Sequence, residues 1–148
     1  MQQGQEVGAL ARGETAAEIT AALLAETGTQ VLFEATAKSG PFIAKADILQ
    51  RHGSGWHVLE VKSSFADTGK LKDLLDDIAY TVMVFRRAGV LISKASLLLL
   101  SRSFRFGDGP DRLFEMVEVN VRFYLLPPHR RRHWYPPAGT VLNSPANV

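Results

Sequence analysis

Asp47, and then Glu60 and Lys62 two apart beyond a glycine-rich turn, are the residues whose types and spacing could do chemistry. On an extended strand Trp56, Val58, Glu60 and Lys62 share one face, and His57, Leu59, Val61 and Ser63 share the other. Both faces begin hydrophobic, so the strand reads as buried, with a glutamate and a lysine pointing the same way into a partly desolvated place. Burying a charge without a partner costs roughly several kcal/mol even after relaxation. One strand back, Asp47 interrupts the face of Ile43, Lys45 and Leu49, and a tight hairpin brings it close to Glu60. Glu34, a further strand back, interrupts a face that includes Leu32. Carboxylates converging in such a pocket repel one another unless a cation sits between them. Oxygen donors of this kind suit Mg²⁺ or Mn²⁺, which would polarise a phosphoryl oxygen and make water a better nucleophile. Lys62 would then stand beside the attacked phosphate, against the charge that builds up.

Each piece also has a plainer reading. Glu60 and Lys62 could form an ordinary surface pair on an edge strand, which contributes little to stability. Asp47 could be a strand-end carboxylate bonded to backbone amides. The combination is the more specific signal: Asp47, a hairpin, Glu60-Val61-Lys62 and then an amphipathic helix.

The elements that must position these residues are legible around them. Residues 14–26 read as an alanine-rich helix with Ile19, Leu23 and Leu24 on one side, and Gly28 stands just beyond it. Strands are expected over about 30–37, 42–50 and 56–63, with turns at Ser39-Gly40-Pro41 and His52-Gly53-Ser54-Gly55. A helix over 70–88, capped by Asp67 or Thr68, repeats Leu71, Leu74, Leu75, Ile78, Val82 and Phe85 as one buried stripe. Arg86 and Arg87 suit its negative end, and Gly89 terminates it. Ile92 to Ser101, with Leu97 to Leu100 in a row, fits a central strand covered on both faces. A short helix around 111–117 and a strand around 118–125 follow. This order predicts an α/β or α+β domain whose mixed sheet is flanked by helices. Residues 1–126 are expected to form that domain, and 127–148 a flexible Pro/Arg-rich tail without its own core.

Composition narrows the classes. With 148 residues there is room for one real core, and no apolar run approaches the roughly 20 residues of a membrane span. The absence of cysteine excludes disulfides, thiolate zinc sites and iron–sulfur clusters. No signal peptide is read at Met1 to Glu6, so the default expectation is cytoplasmic. The formal charge of +2 says little about partners, because its distribution matters more.

At Ala46-Asp47-Ile48-Leu49 and Leu59-Glu60-Val61-Lys62-Ser63-Ser64 the chain resembles the PD-(D/E)XK nuclease superfamily. It is most similar to the RecB-like and CRISPR-associated-exonuclease-like branch, and there to a bacterial family of RecB-like nuclease domains. Phe33-Glu34-Ala35 and Asp77-Ile78-Ala79 match that family's flanking strand and helix, and the likeness spans about residues 4–124. The resemblance implies a restriction-endonuclease-like core. It implies Mg²⁺ or Mn²⁺ held by Asp47, Glu60 and the Val61 carbonyl, with Glu34 as a further ligand, and catalysis by Asp47, Glu60 and Lys62. Two positions depart from the pattern: Gly8 follows Val7 where a histidine is usual, and Thr81 stands where a glutamine normally holds the lysine or the nucleic-acid strand.

Lys70, Lys72 and Thr81, with Arg130, Arg131 and Arg132, are candidate nucleic-acid contacts. The arginine run beside Trp134 and Tyr135 suits phosphate contact with base stacking, although a solvated end is the plainer reading. His129 and His133 are four apart, but the flanking prolines argue against a shared helix face. His52 and His57 flank the hairpin, where a surface role is expected. The leading expectation is a metal-dependent nuclease acting on DNA, with RNA the alternative substrate. A catalytically degenerate module that binds nucleic acid or a partner protein comes second, and a plain interaction domain third. A further domain or partner subunit is expected to complete so short a chain, and Phe104, Phe106, Phe123 and Tyr124 could pack against a second copy.

Overall fold

Alternating apolar residues turn the middle of the chain into a continuous sheet, onto which the stripe of the long helix must fold. The computed structural model describes residues 4–7, 14–66 and 69–120. Gly8, the expected caps Asp67 and Thr68, Phe123, Tyr124, the end of the last expected strand and the tail with His129, Arg130, Arg131, Arg132 and His133 lie outside those residues. The elements run β1 (Gln5–Glu6), α1 (Glu14–Ala25), β2 (Val31–Ser39), β3 (Phe42–His52), β4 (Gly55–Lys62), α2 (Leu71–Arg87), β5 (Ile92–Leu100) and β6 (Phe114–Glu118).

The result is an α+β fold with a six-stranded mixed sheet in the order β1-β2-β3-β4-β5-β6. β2, β3 and β4 form an antiparallel meander; β1 runs parallel to β2, β5 parallel to β4, and β6 antiparallel to β5. The parallel step from β4 to β5 is made through α2, because parallel neighbours need a long crossover. Among the described residues no helix is long and apolar enough to cross a membrane.

Ile78, Val82 and Phe85 on α2 are fully buried, as the stripe predicts, and Val84 joins them. They meet a floor of small residues, Ala35, Ala37, Ala44 and Ala46, beside Leu32, Leu49, Val58, Leu97 and Leu99. Alanines let the helix lie close to β2 and β3, while the leucines and Phe85 fill the wider spaces around it. At the far end Gly89 takes φ +87°, a left-handed conformation that glycine adopts without penalty. The Val90 amide then reaches back to the Phe85 carbonyl at 3.0 Å and closes the helix. Lys70 is the N-cap and makes no side-chain cap bond.

The sheet departs from simple alternation at one row. Buried hydrophobic residues in β2 run Leu32, then Ala35 and Ala37; in β3 they run Ala44, Ala46, then Leu49. Each strand slips by one residue at the same level, since Phe33 pairs with Ile48 and Ala35 with Ala46. Leu49 therefore belongs to the core, and Asp47 does not share a regular face with it. Glu34, at the slip, has φ +56°, and among the described residues it is the one non-glycine in that region.

Two expected elements are corrected. The helix expected at 111–117 is a short 3-10 turn at Pro110–Arg112 followed by β6. Phe114 to Glu118 pair with the free edge of β5, from Ser96↔Glu118 to Leu100↔Phe114. A ladder on an existing edge outcompetes an isolated helical turn, whose nucleation is costly. This strand begins earlier than the 118–125 expected, of which 121–125 lie outside the described residues. β5 lies one strand from the end of the described sheet, and Leu98 and Leu100 are half-buried rather than covered.

Phe85 plugs the floor under α2, so Phe85→Ala is expected to cost about 3–5 kcal/mol. Urea unfolding should show a lower midpoint at unchanged slope.

Candidate functional site

The site lies where β3 and β4 part. Their pairing holds from His52↔Gly55 to Ile48↔Leu59 and then stops. One step further Asp47 stands opposite Glu60, and its Oδ2 accepts a hydrogen bond from the Val61 amide at 2.8 Å. A side chain has taken the place of the next ladder bond, so the strands fork with Asp47 in the opening.

Glu60 is 5% exposed on the helix-facing side of β4. Its buried Oε1 has no hydrogen-bond partner among the described residues. Desolvation, reinforced by the Asp47 carboxylate, pushes its carboxyl up to about 7 against the opposing pull of Lys62 and a hydrogen bond from Thr81. At neutral pH this acid is poised between its two protonation states, whereas an exposed glutamate would be ionised. The Lys62 ammonium sits 3.8 Å from Glu60 Oε2 and 3.7 Å from Asp77 Oδ2, too far for a hydrogen bond to either. The ammonium is thus bracketed by two carboxylates without being bonded to either.

Glu34 and Lys45 complete the outer rim as an ion pair. The Glu34 bond raises the Lys45 ammonium's pKa, with Asp47 and Glu60 adding smaller pulls. Left-handed backbone at a non-glycine costs about 1–3 kcal/mol and persists where the surroundings demand it.

The fold therefore brings Asp47, Glu60, Val61 and Lys62 together, and it adds Thr81 from α2. Glu34 is turned to Lys45 and is not among the charges acting on Glu60. Thr81 is 6% exposed and spends its hydroxyl on Glu60, so it positions the acid from beneath instead of facing outward. Lys70 is exposed at the start of α2, and Lys72 pairs with Asp76 at 3.2 Å. His57 is corrected from a surface residue to a buried one on the opposite face of β4 from Glu60. It shares a 2.9 Å hydrogen bond with Ser96. Burial, helped by Lys94, pushes its pKa down to about 4. Asp77, matched in sequence only to the resembled family's helix, is the second partner of Lys62. Its spacing of four from Thr81 on the same helix was the available signal.

Among the described residues no three His, Cys, Asp or Glu side chains are grouped as a metal site. Two carboxylates and a backbone carbonyl remain as donors at the fork. An orphaned buried carboxylate oxygen, on an acid whose ionisation a second carboxylate opposes, suits a hard cation better than it suits isolation.

Two opposed pH effects follow for the metal-free protein. Glu60 ionises less readily in the fold than in the unfolded chain, so its contribution is full below about 4.5 and is lost as pH rises through about 7. His57 protonates less readily in the fold, so its contribution is full above about 6.5 and is lost as pH falls through about 4. Each limb should be worth on the order of 3 kcal/mol. In EDTA, melting temperatures across this range should lose the alkaline limb in Glu60→Gln and the acid limb in His57→Gln. A fall above neutrality that persists in Glu60→Gln would assign it to another group.

No family model, no curated protein and no solved structure matches this chain.

Proposed function

We propose that this chain is a divalent-metal-dependent nuclease of the PD-(D/E)XK type, with a restriction-endonuclease-like core, that hydrolyses phosphodiester bonds in nucleic acid, DNA foremost. The observation that carries this reading is the fork itself: Asp47 opposite the buried, half-ionised Glu60, with Lys62 bracketed two residues on. Structural ion pairs on strands do not need an orphaned buried carboxylate oxygen, whereas a cation site does.

Asp47, Glu60 and the Val61 carbonyl are the donors that would hold Mg²⁺ or Mn²⁺. Such an ion supplies positive charge to a phosphoryl oxygen and makes water more acidic. Glu60 must give up its remaining proton to act as a ligand, so loading is coupled to pH. Thr81 holds the Glu60 carboxylate in place from below. Lys62, bracketed by Glu60 and Asp77, would offset the negative charge that builds on the phosphoryl group. Water attacks phosphorus and gives up a proton, the bond to the leaving oxygen breaks, and that oxygen takes up a proton, with no covalent enzyme intermediate.

The position of Thr81 favours a second reading, a module that binds nucleic acid without turnover. Thr81 is buried with its hydroxyl on Glu60, so it offers little to an incoming strand.

Labelled DNA incubated with MnCl₂ or MgCl₂ should be cleaved, and Glu60→Gln and Lys62→Ala should each slow cleavage about 10²-fold or more. Binding without cleavage by the wild type would select the second reading. MnCl₂ should also raise the melting temperature, by about 2.7 kcal/mol of stabilisation at a hundred times Kd, and Asp47→Asn should abolish the rise. A wild type unmoved by either metal would remove the cation site.

A further inference from the structure

We infer that the exposed flank of α2 from Tyr80 to Arg87 is a track for single-stranded nucleic acid, which leaves the fork toward the C-terminal end of that helix. The inference rests on the nuclease reading above and adds the substrate class and the path it takes.

Tyr80 and Arg87 are seven apart and so lie on one line along α2, about 10 Å apart along its axis. The line begins beside the site, since Tyr80 precedes Thr81 and follows Asp77 by one turn. Both side chains lean onto the start of β3. The Tyr80 hydroxyl donates to the Ile43 carbonyl at 3.1 Å, and the Arg87 guanidinium lies over the Phe42 ring at 5.3 Å. Tyr80 nevertheless remains 43% exposed, as does Ile43 beside it. An aromatic ring tethered at its hydroxyl and open to solvent is a preorganised stacking surface, with little rotamer freedom left to lose. Stacking of this kind takes unpaired bases of any sequence, which a closed duplex does not offer.

Charge sets the direction. The N-terminal half of α2 carries Asp73, Asp76 and Asp77, and Lys72 is paired with Asp76 there. A polyanion is repelled from that end. At the other end Arg86 donates to the Ile92 carbonyl at 2.7 Å and is committed to the fold. Arg87 is exposed, and no carboxylate among the described residues pairs with it. It is therefore the cation of α2 placed to take a phosphate, about three phosphate spacings from Tyr80 at the 3.4 Å of a duplex strand.

The test is fluorescence anisotropy with labelled oligothymidylate and with a duplex of equal length, using CaCl₂ in place of MgCl₂. Wild type should bind the single strand more tightly. Tyr80→Ala should weaken that binding about tenfold, while Tyr80→Phe, which keeps the ring, should not. Arg87→Ala should weaken it and lower the log–log salt slope by about 0.7. If Tyr80→Ala and Arg87→Ala melt and bind as wild type does, the track is overturned and the nuclease reading stands. Preference for the duplex would have the same meaning. A wild type that binds neither nucleic acid would overturn both.

Discussion

The hydrogen bond from the Val61 amide to the Asp47 carboxylate is the constraint on which the rest of the site depends. In an unbroken hairpin the β3–β4 ladder would run on past Ile48↔Leu59, and the carboxylates of Asp47 and Glu60 would face each other across a closed pair of strands. A side-chain acceptor ends the ladder there without leaving the Val61 amide unsatisfied. The gap so formed lets two acids and a lysine address one place. Glu60 bears the cost, since its Oε1 is buried without a partner, and its raised pKa is the form that cost takes.

The surrounding fold tolerates that cost because it is stiff. α2 rests on four alanines of β2 and β3 and is pinned by Phe85, so Thr81 cannot draw away from Glu60 without moving a packed helix. The same rigidity accounts for Glu34. Its left-handed backbone sits level with Asp47, where the burial patterns of β2 and β3 slip together. A local irregularity in both strands keeps hydrophobic residues on the core side above and below the row, while the row itself stays polar. Lys45 pairs with Glu34 at the rim and is also acted on by the inner carboxylates, Asp47 and Glu60.

The two ends of α2 are electrostatically unlike. Aspartates crowd its first half, where Asp77 steadies Lys62, and arginines close its last turn. One helix thus serves the acid site at its middle through Thr81 and offers a cation at its end through Arg87.

Much of this was legible in the sequence because it depends on local rules. Periodicity placed α1, β2 to β4, α2 and β5 within a residue or two at most of their ends, and the nearness of Asp47 to Glu60 followed from the length of the hairpin. Alternation also put Glu60 and Lys62 on one side of β4. What the sequence could not determine are properties of neighbours distant in the chain. β6 replaced a predicted helix because β5 had an edge to pair, and Phe114 to Glu118 contain no local sign of that edge. His57 became buried through Ser96, 39 residues away. Glu34 pairs with Lys45, an ammonium that Asp47 and Glu60 also act on, and it sits at a slip in two paired strands that each read alone as regular. Spacing along the chain determines which faces exist; only packing in three dimensions decides which charges meet, since burial and Coulomb forces act on distance in space and are indifferent to separation in sequence.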